Sequence, residues 1–184
     1  MRHTGNAKAR KCLAVVGLLL LMSLAYAGLA QAAALTSAEK YWLTYMREEE
    51  KLARDVYLVL YDRWRLAIFS NISQSEQTHM DAIKTLLDRY GLPDPATAEV
   101  GVFTDRALQK LYDDLIAQGS ISEVEALKVG VTIEETDIDD LNAAIATTTR
   151  KDIKTVYGNL LQGSLNHLKA FVSNLAKYGV TYEP

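Results

Sequence analysis

The sequence has 184 residues, of which 49% are hydrophobic and 23% are charged, and its formal net charge is -3. A chain of this length and composition can bury the core of one globular domain, which excludes extensive disorder. Its slight acidity argues against a nucleic-acid partner, because nucleic-acid-binding surfaces need basic residues that neutralise phosphates.

The first 34 residues differ in composition from the rest. A basic start precedes an apolar run over residues 13–30, and small residues follow at Ala30-Gln31-Ala32. This order predicts a secretory signal peptide over residues 1–34 and export to the periplasm or the extracellular space. The alternative is an uncleaved membrane anchor formed by residues 13–30. Cleavage would remove Cys12, the only cysteine, and leave carboxylates and imidazoles as the ligands for any metal.

Residues 35–184 are predicted to form one all-α domain. Apolar residues recur at three- and four-residue steps in four long segments, which predicts four amphipathic helices. The first two are placed at about 37–64 and 70–89, with Ser37 as the first N-cap and Lys40 where a capping box would have an acid. The third begins at a capping box of Ser122 and Glu125, and the fourth begins near Thr149.

The second and third long helices are separated by a long connection, residues 91–121. This connection contains a short predicted helix at about 105–118, which Gly119 ends. A crossover of this kind between two helical hairpins is characteristic of ferritin-like bundles. We therefore predict a ferritin-like four-helix bundle.

Polar residues interrupt the inward stripe of every long helix. In the second helix, Glu76 and His79 are three residues apart, which points a carboxylate and an imidazole to the same side. The other helices contribute Glu50, Glu134 and His167. An unpaired buried carboxylate costs several kcal/mol, roughly, whereas one cation compensates several carboxylates. The set therefore predicts a metal site.

For two of these ligands, an adjacent glutamate is an alternative. Glu49 is an alternative to Glu50, and Glu135 is an alternative to Glu134. Carboxylate oxygens and imidazole nitrogens suit iron, manganese or zinc. Two alternatives do without a metal. One is a buried Glu/His/Arg network around Lys51 and Arg54, and the other is that Glu49 and Glu135 are simply solvated.

Four segments of the chain are similar to an uncharacterised ferritin-like family, DUF2202. They are EEEKLARDVY at 48–57, SEQTHM at 75–80, IEE at 133–135 and GSLNHL at 163–168. Glu50, Tyr57 and the Glu76-x-x-His79 pair also resemble the first half of rubrerythrin and the ferritin-like diiron proteins. The resemblance covers nearly all of residues 36–180, and it implies the bundle fold and a dinuclear carboxylate site, with two iron ions as the expected cofactor.

Ser164 departs from the diiron pattern, which would place a glutamate three residues before His167. A hydroxyl is a poorer ligand than a carboxylate, and it cannot bridge two cations in the same way. The second metal position therefore needs another carboxylate, for which Glu49 and Glu135 are the candidates.

The expected function is that of a metal-dependent oxidoreductase acting on dioxygen or peroxide. Tyr57 would either hydrogen-bond a ligand or carry an electron, unless it is simply a buried core tyrosine. Asp137 or Asp152 would orient a ligating imidazole. The expected partners are metal ions and dioxygen or peroxide, and a homodimer is left open.

Two other functions remain as alternatives. The first is a non-catalytic periplasmic protein that binds or stores metal. The second is a helical interaction module with Tyr41, Trp42 and Tyr45 as its partner surface. Zinc-dependent hydrolysis is also left open, although the sequence shows no nucleophile or oxyanion arrangement.

Overall fold

The computed structural model describes residues 34–182, which form five α-helices and no strand. The helices are α1 Ser37–Trp64, α2 Ala67–Tyr90, α3 Arg106–Gly119, α4 Glu123–Thr147 and α5 Lys151–Lys177. The predicted all-α class is thereby confirmed. Except for Ala34, the predicted signal peptide lies outside the described residues and stays a prediction. No helix within residues 34–182 is long and apolar enough to cross a membrane.

The four long helices pack as two hairpins. α1 packs most extensively against α2, and α4 against α5. The hairpins meet where α1 contacts α4 and α2 contacts α5, while the shorter α3 lies against α1 and α4. This packing is compatible with the predicted four-helix bundle, and α3 belongs to the long connection, as predicted.

α1 begins with a complete capping box, which the sequence analysis missed. Thr36, not Ser37, is the N-cap, and its hydroxyl accepts a hydrogen bond from the backbone N–H of Glu39. The Glu39 carboxylate accepts in turn from the N–H of Thr36 at 2.8 Å. Placing the cap one residue too late shifted the third helical position to Lys40 and hid the acid.

α2 begins at Ala67, three residues before its predicted start. Arg65 ends α1 with a positive φ of 56°, and Leu66 then acts as the N-cap without a side-chain hydrogen bond. The predicted start at Ser70 was wrong because Leu66 lacks the polar side chain that usually marks a helix beginning. The two-residue connection holds α1 and α2 as a tight hairpin.

Buried ion pairs attach the long connection to α1. Lys51, which is fully buried, donates to the Asp55 carboxylate at 2.5 Å and to the carbonyls of Glu99 and Val102. Arg54 donates to the other oxygen of Asp55, at 2.6 and 2.9 Å. These residues form a network of their own, which we name the Lys51–Asp55 knot.

The hydrophobic core is divided into two clusters along the bundle. One includes Val56, Phe69, Leu127 and Phe171. The other includes Met46, Ile83, Leu141 and Leu160. On each long helix a buried polar segment separates the residues of one cluster from those of the other. These segments form a polar layer across the middle of the bundle, and this layer contains the candidate site.

Candidate metal centre

The polar layer receives at least one carboxylate or imidazole from each long helix. α1 supplies Glu50, α2 supplies Glu76 and His79, α4 supplies Glu134 and α5 supplies His167. The three carboxylates are 1–2% exposed, and the two histidines are 8–9% exposed. Apolar neighbours one turn away on each helix bury these positions, so the hydrophobic pattern brings the polar side chains together.

His79 lies between two carboxylates. Its Nδ1 is 2.8 Å from Oε2 of Glu76 and 3.1 Å from Oε2 of Glu50. The ligand atoms of these three residues all lie within 4.8 Å of one another. One cation placed among them could therefore contact two carboxylates and one imidazole.

His167 has a matching environment on the other side of Glu76. Its Nδ1 is 2.8 Å from Oε1 of Glu76 and 3.4 Å from Oε2 of Glu134. These three residues form a second group within the same 4.8 Å limit. Glu76 thus offers one oxygen to each group, and the two imidazole rings lie 5.6 Å apart, nearly parallel.

Several polar atoms of the layer are buried without a hydrogen-bond partner. They include Oε1 of Glu50, Oε1 of Glu76 and Nδ1 of His167. His167 Nδ1 and Glu76 Oε1 are close, yet they lack the alignment of a hydrogen bond. Buried donors and acceptors are normally satisfied, and each unsatisfied one costs about 1–3 kcal/mol. Oxygen and imidazole atoms that converge without bonding one another fit a divalent transition metal.

The protonation of the layer shows how strongly it favours positive charge. Burial raises the pKa of Glu50 and of Glu134 to about 8. Desolvation would lower the pKa values of the histidines, but Glu50 and Glu76 raise that of His79 to about 11, and Glu134 and Glu76 raise that of His167 to about 10. Without a metal, protons therefore occupy the positions that a cation would take.

Glu76 behaves differently from the other two glutamates. Burial acts to raise its pKa, but close contact with the imidazoles of His167 and His79, and their charge, lower the pKa to about 2. Its carboxylate therefore stays ionised between the two imidazoles. A shared, ionised carboxylate is what a pair of adjacent cations requires as a bridging ligand.

Neighbouring residues orient the candidate ligands. Nε2 of His167 lies 2.9 Å from the Ser75 hydroxyl, which leaves Nδ1 directed at the carboxylates. Tyr57 donates its hydroxyl proton to Oε1 of Glu134 at 2.7 Å. A Cβ atom added at Gly163 would lie 2.5 Å from Nε2 of His79, so the imidazole fits there only because Gly163 has no side chain. Such contacts fix ligand orientation.

Comparison with known proteins identifies the family. The model of DUF2202, an uncharacterised protein domain, matches residues 39–184. The chain belongs to the DUF2202 family. It is 54% identical over 151 residues to the uncharacterised protein MJ0754 of Methanocaldococcus jannaschii, and the match covers 82% of each protein. The crystal structure of MJ0754 is similar with a TM-score of 0.80, over 82% of this chain and 86% of that chain.

A more distant solved structure also resembles the DUF2202 domain. It is a DUF305 fragment from Deinococcus radiodurans, with a TM-score of 0.59 and 12% identity. The similarity covers 78% of this chain and 99% of that chain. At this identity the similarity shows a shared helical fold alone.

The three consecutive glutamates of α1 have different environments in the DUF2202 domain. Glu48 accepts hydrogen bonds from the backbone N–H groups of Thr104 and Asp105 in the long connection. Glu49 borders a cavity of about 20 Å³, with Leu52 and Thr132 among its other lining residues. Only Glu50 joins one of the two groups of candidate ligands. The structure thus brings Glu50, and not Glu49, together with the other candidate ligands.

Glu135 also lies outside both groups of candidate ligands. It is half-buried, and it accepts a hydrogen bond from the Tyr182 hydroxyl. Consecutive residues on a helix differ by about 100° in direction, so Glu134 and Glu135 cannot both face the polar layer. The sequence analysis left this choice open because the apolar stripe alone does not fix the rotation of α4 so finely.

Of the two aspartates expected near an imidazole, only Asp137 lies in the polar layer. Asp152 accepts hydrogen bonds from Arg89 and Tyr90 near the start of α5, away from both histidines. Asp137 instead accepts a hydrogen bond from Ser164. Its carboxylate is buried, which raises its pKa, and the charge of Glu50 adds to this effect.

Lys51 and Arg54 do not neutralise the polar layer. Both bind Asp55 on the side of α1 that faces the long connection. The expected alternative of a buried network around these cations is therefore present as the Lys51–Asp55 knot, but it does not contain the candidate ligands.

Tyr41 and Tyr45 stack with their ring centroids 5.6 Å apart, and Tyr41 is 54% exposed.

Proposed function

We propose that this DUF2202 protein carries a dinuclear carboxylate–histidine metal centre of the ferritin-like diiron type. Iron is the expected metal, with manganese and zinc as the alternatives that the ligand set also allows. The observation that carries the proposal is the position of Glu76, whose two oxygens each approach one imidazole and one further carboxylate group. Glu50 and the Glu76-x-x-His79 pair also follow the first half of the diiron pattern along the chain.

One metal position would be held by Glu50, Glu76 and His79, and the other by Glu76, Glu134 and His167. Bound iron would supply electrons to dioxygen or peroxide, which is the oxidoreductase chemistry that we propose. The residues of the chain would bind and orient the ions, and the two apolar clusters would exclude bulk water from both ends of the polar layer.

The histidines mark the side of the layer that is nearest to solvent. Their side chains are 10–11% exposed, whereas those of Glu50, Glu76 and Glu134 are 1–3% exposed. Both histidines lie where α2 meets α5, and Gly163 leaves space there because it has no side chain. We propose that small oxidants reach the centre from this side.

Tyr57 would act on Glu134 from inside the bundle. Its hydroxyl donates to a ligand oxygen, and its pKa is raised well above the ordinary value by burial and by the charges of Glu134 and Glu76. The tyrosine therefore stays protonated and holds the carboxylate in one orientation. This contact supports a role for Tyr57 in orienting a ligand.

The first test is the metal content of the mature protein, purified without chelator and again after anaerobic reconstitution with ferrous iron. About two ions per chain are expected in the wild type. The variant with both Glu76→Ala and His79→Ala should lose both ions, because Glu76 is shared. The matched control is Glu135→Gln, which changes a glutamate on the outer side of α4. The absence of bound metal in the reconstituted wild type would refute the proposal.

The second test separates catalysis from storage. Ferrous iron is added to the reconstituted protein in an oxygen electrode, and then in the presence of hydrogen peroxide. Consumption of the oxidant that depends on Glu76 supports an oxidoreductase. Stoichiometric metal without any oxidant consumption would instead support the non-catalytic metal-binding function.

Export forms a separate part of the proposal and rests on the sequence of residues 1–34. It is tested by expressing the full chain in a bacterium and determining the N-terminal residue of the protein in each cell fraction. A mature N-terminus near Ala33 in the periplasm or medium supports a cleaved signal peptide. A full-length chain in the membrane fraction would support the anchor formed by residues 13–30.

A further inference from the structure

Asp137 lies in the polar layer, but it belongs to neither group of candidate ligands. It is one helical turn after Glu134 on α4, and it is 6% exposed. Its Oδ2 accepts a hydrogen bond from the hydroxyl of Ser164 on α5, which is fully buried. Its other oxygen, Oδ1, is buried and has no hydrogen-bond partner.

A purely structural role does not account for this arrangement. Ser164 also lies 3.0 Å from the carbonyl of Leu160, so its hydroxyl has an acceptor within its own helix. An aspartate that only linked α4 to α5 would leave Oδ1 unsatisfied at a cost of about 1–3 kcal/mol. A buried carboxylate with one fixed oxygen and one unpartnered oxygen has the features of a ligand.

The position of Ser164 indicates why Asp137 has an unpartnered oxygen. Ser164 is three residues before His167, where the diiron pattern would have a glutamate. α5 therefore lacks one carboxylate, and the residue that contacts Ser164 from α4 supplies one. Asp137 follows Glu134 by one turn on α4, and it contacts Ser164, which precedes His167 by one turn on α5, so its carboxylate lies beside the group that contains these two candidate ligands.

We infer that Asp137 is an additional metal ligand that replaces the missing glutamate of α5. In this assignment the carboxylate has moved from α5 to α4, and Ser164 holds it by a hydrogen bond instead of binding metal itself. The metal that Asp137 would bind is a divalent transition cation, which Glu76 would also bind. This inference rests on the proposed metal centre, and it completes the second metal position.

The test compares isosteric variants by titration with Mn²⁺ in a calorimeter, together with the metal content after dialysis. Asp137→Asn keeps the shape and the hydrogen bond from Ser164 but removes the charge. Asp139→Asn is the matched control, because Asp139 is an exposed aspartate two residues further along α4. The wild type and Asp139→Asn should bind two ions. Asp137→Asn should bind the second ion at least about tenfold more weakly.

A relocation variant tests the exchange between helices. Asp137→Ala combined with Ser164→Glu returns the carboxylate to α5, and Asp137→Ala combined with Ser164→Ala is its control. The first should regain the second ion and the control should not. Circular dichroism and a melting curve show whether each variant is folded, and Asp137→Asn serves as the test if the relocation variants are not.

The outcomes separate this inference from the proposed function. Two ions bound by Asp137→Asn with an affinity within twofold of the wild type would overturn the inference and leave the metal centre intact. A wild type that binds one ion would overturn it as well, since there would be no second position to complete. A wild type that binds no ion would refute the proposed function itself.

Discussion

Two regions of this protein bury charged side chains, but they differ in how those charges are satisfied. In the Lys51–Asp55 knot, the ammonium of Lys51 has three oxygen acceptors. Asp55 accepts from Lys51, from Arg54 and from the backbone N–H of Gly101. Opposite charges and donors are matched within the chain.

The polar layer contains three glutamates, Asp137 and two histidines in the interior, with no lysine or arginine among them. Several of its oxygens and one imidazole nitrogen have no hydrogen-bond partner. Buried charge alone does not distinguish the two regions, since the knot also contains it. Buried acceptors that lack a hydrogen-bond partner do distinguish them, because the polar layer contains several.

The largest expected effect is on the knot. Lys51→Met should lower the free energy of unfolding by about 3–5 kcal/mol, because it leaves Asp55 buried without its closest cation. Lys110→Met is the matched control, since Lys110 and Asp114 form an exposed pair with the same spacing, worth at most about 0.5 kcal/mol. Urea unfolding measures both. A loss of bound metal in folded Lys51→Met would contradict the separation of the two regions.

The converse substitution is Glu50→Gln in the polar layer. Burial raises the pKa of Glu50 to about 8, which favours its neutral form in the absence of metal, and neutral glutamine has nearly the same shape. Unfolding of the metal-free protein should change by less than about 1 kcal/mol. Manganese affinity, measured by calorimetry, should fall by about 100-fold, because a ligand charge is lost. Equal destabilisation with and without metal would mean that the layer is structural.

The pH dependence of stability should also distinguish the metal-free protein from the metal-loaded protein. The folded pKa values of Glu50 and Glu134 are raised to about 8, and those of His79 and His167 to about 11 and 10. The folded chain therefore keeps protons that the unfolded chain releases, glutamate protons above about pH 4.5 and histidine protons above about pH 6.5. Stability of the metal-free protein should therefore fall as the pH rises from 5 to 8.

Metal should reverse this trend, because an ion must displace those protons and binds better as they leave. Melting curves at pH 5, 6, 7 and 8, each with chelator and with Mn²⁺, provide the measurement. The stabilisation by Mn²⁺ should grow with pH. A constant difference between the two series would show that the titrating groups do not bind the ion.

The smallest expected effect comes from a glycine pair on α5. Gly163→Ala places a methyl group against the His79 imidazole and should weaken metal binding by about tenfold. Gly158→Ala is the control, because an added Cβ there meets nothing within 4 Å. It should stabilise the helix by roughly 0.5–1 kcal/mol and leave metal binding unchanged. Calorimetry and melting curves report both effects, and equal metal affinities would contradict the contact with His79.

Much of the polar layer could be predicted from periodicity, because Glu76, His79 and His167 occupy positions that would otherwise be apolar. The choice among Glu48, Glu49 and Glu50 could not, since it depends on how α1 is rotated against α3 and α4. Hydrogen-bond partners on different helices could not be predicted either. Nothing in the sequence links Ser75 with His167, and that contact follows from the packing of α2 against α5.

The fold was predicted best where the apolar stripes are long, and least well at helix starts. The beginning of α2 was missed because its cap is Leu66, a residue without a capping side chain. Asp137 was one of two aspartates, with Asp152, that were expected to orient an imidazole. Its unpartnered oxygen and its contact with Ser164 became visible only when α4 and α5 were seen together.

The polar layer between two apolar clusters has a consequence for how the bundle opens. Helices usually fray from their ends, and their central amides exchange with solvent last. Here both ends of the bundle are closed by tightly packed apolar side chains, whereas the middle depends on compensation of its charges. In the metal-free protein, amide hydrogen exchange should therefore be fastest at mid-helix, around Glu76 and Glu134, while both flanking clusters stay protected.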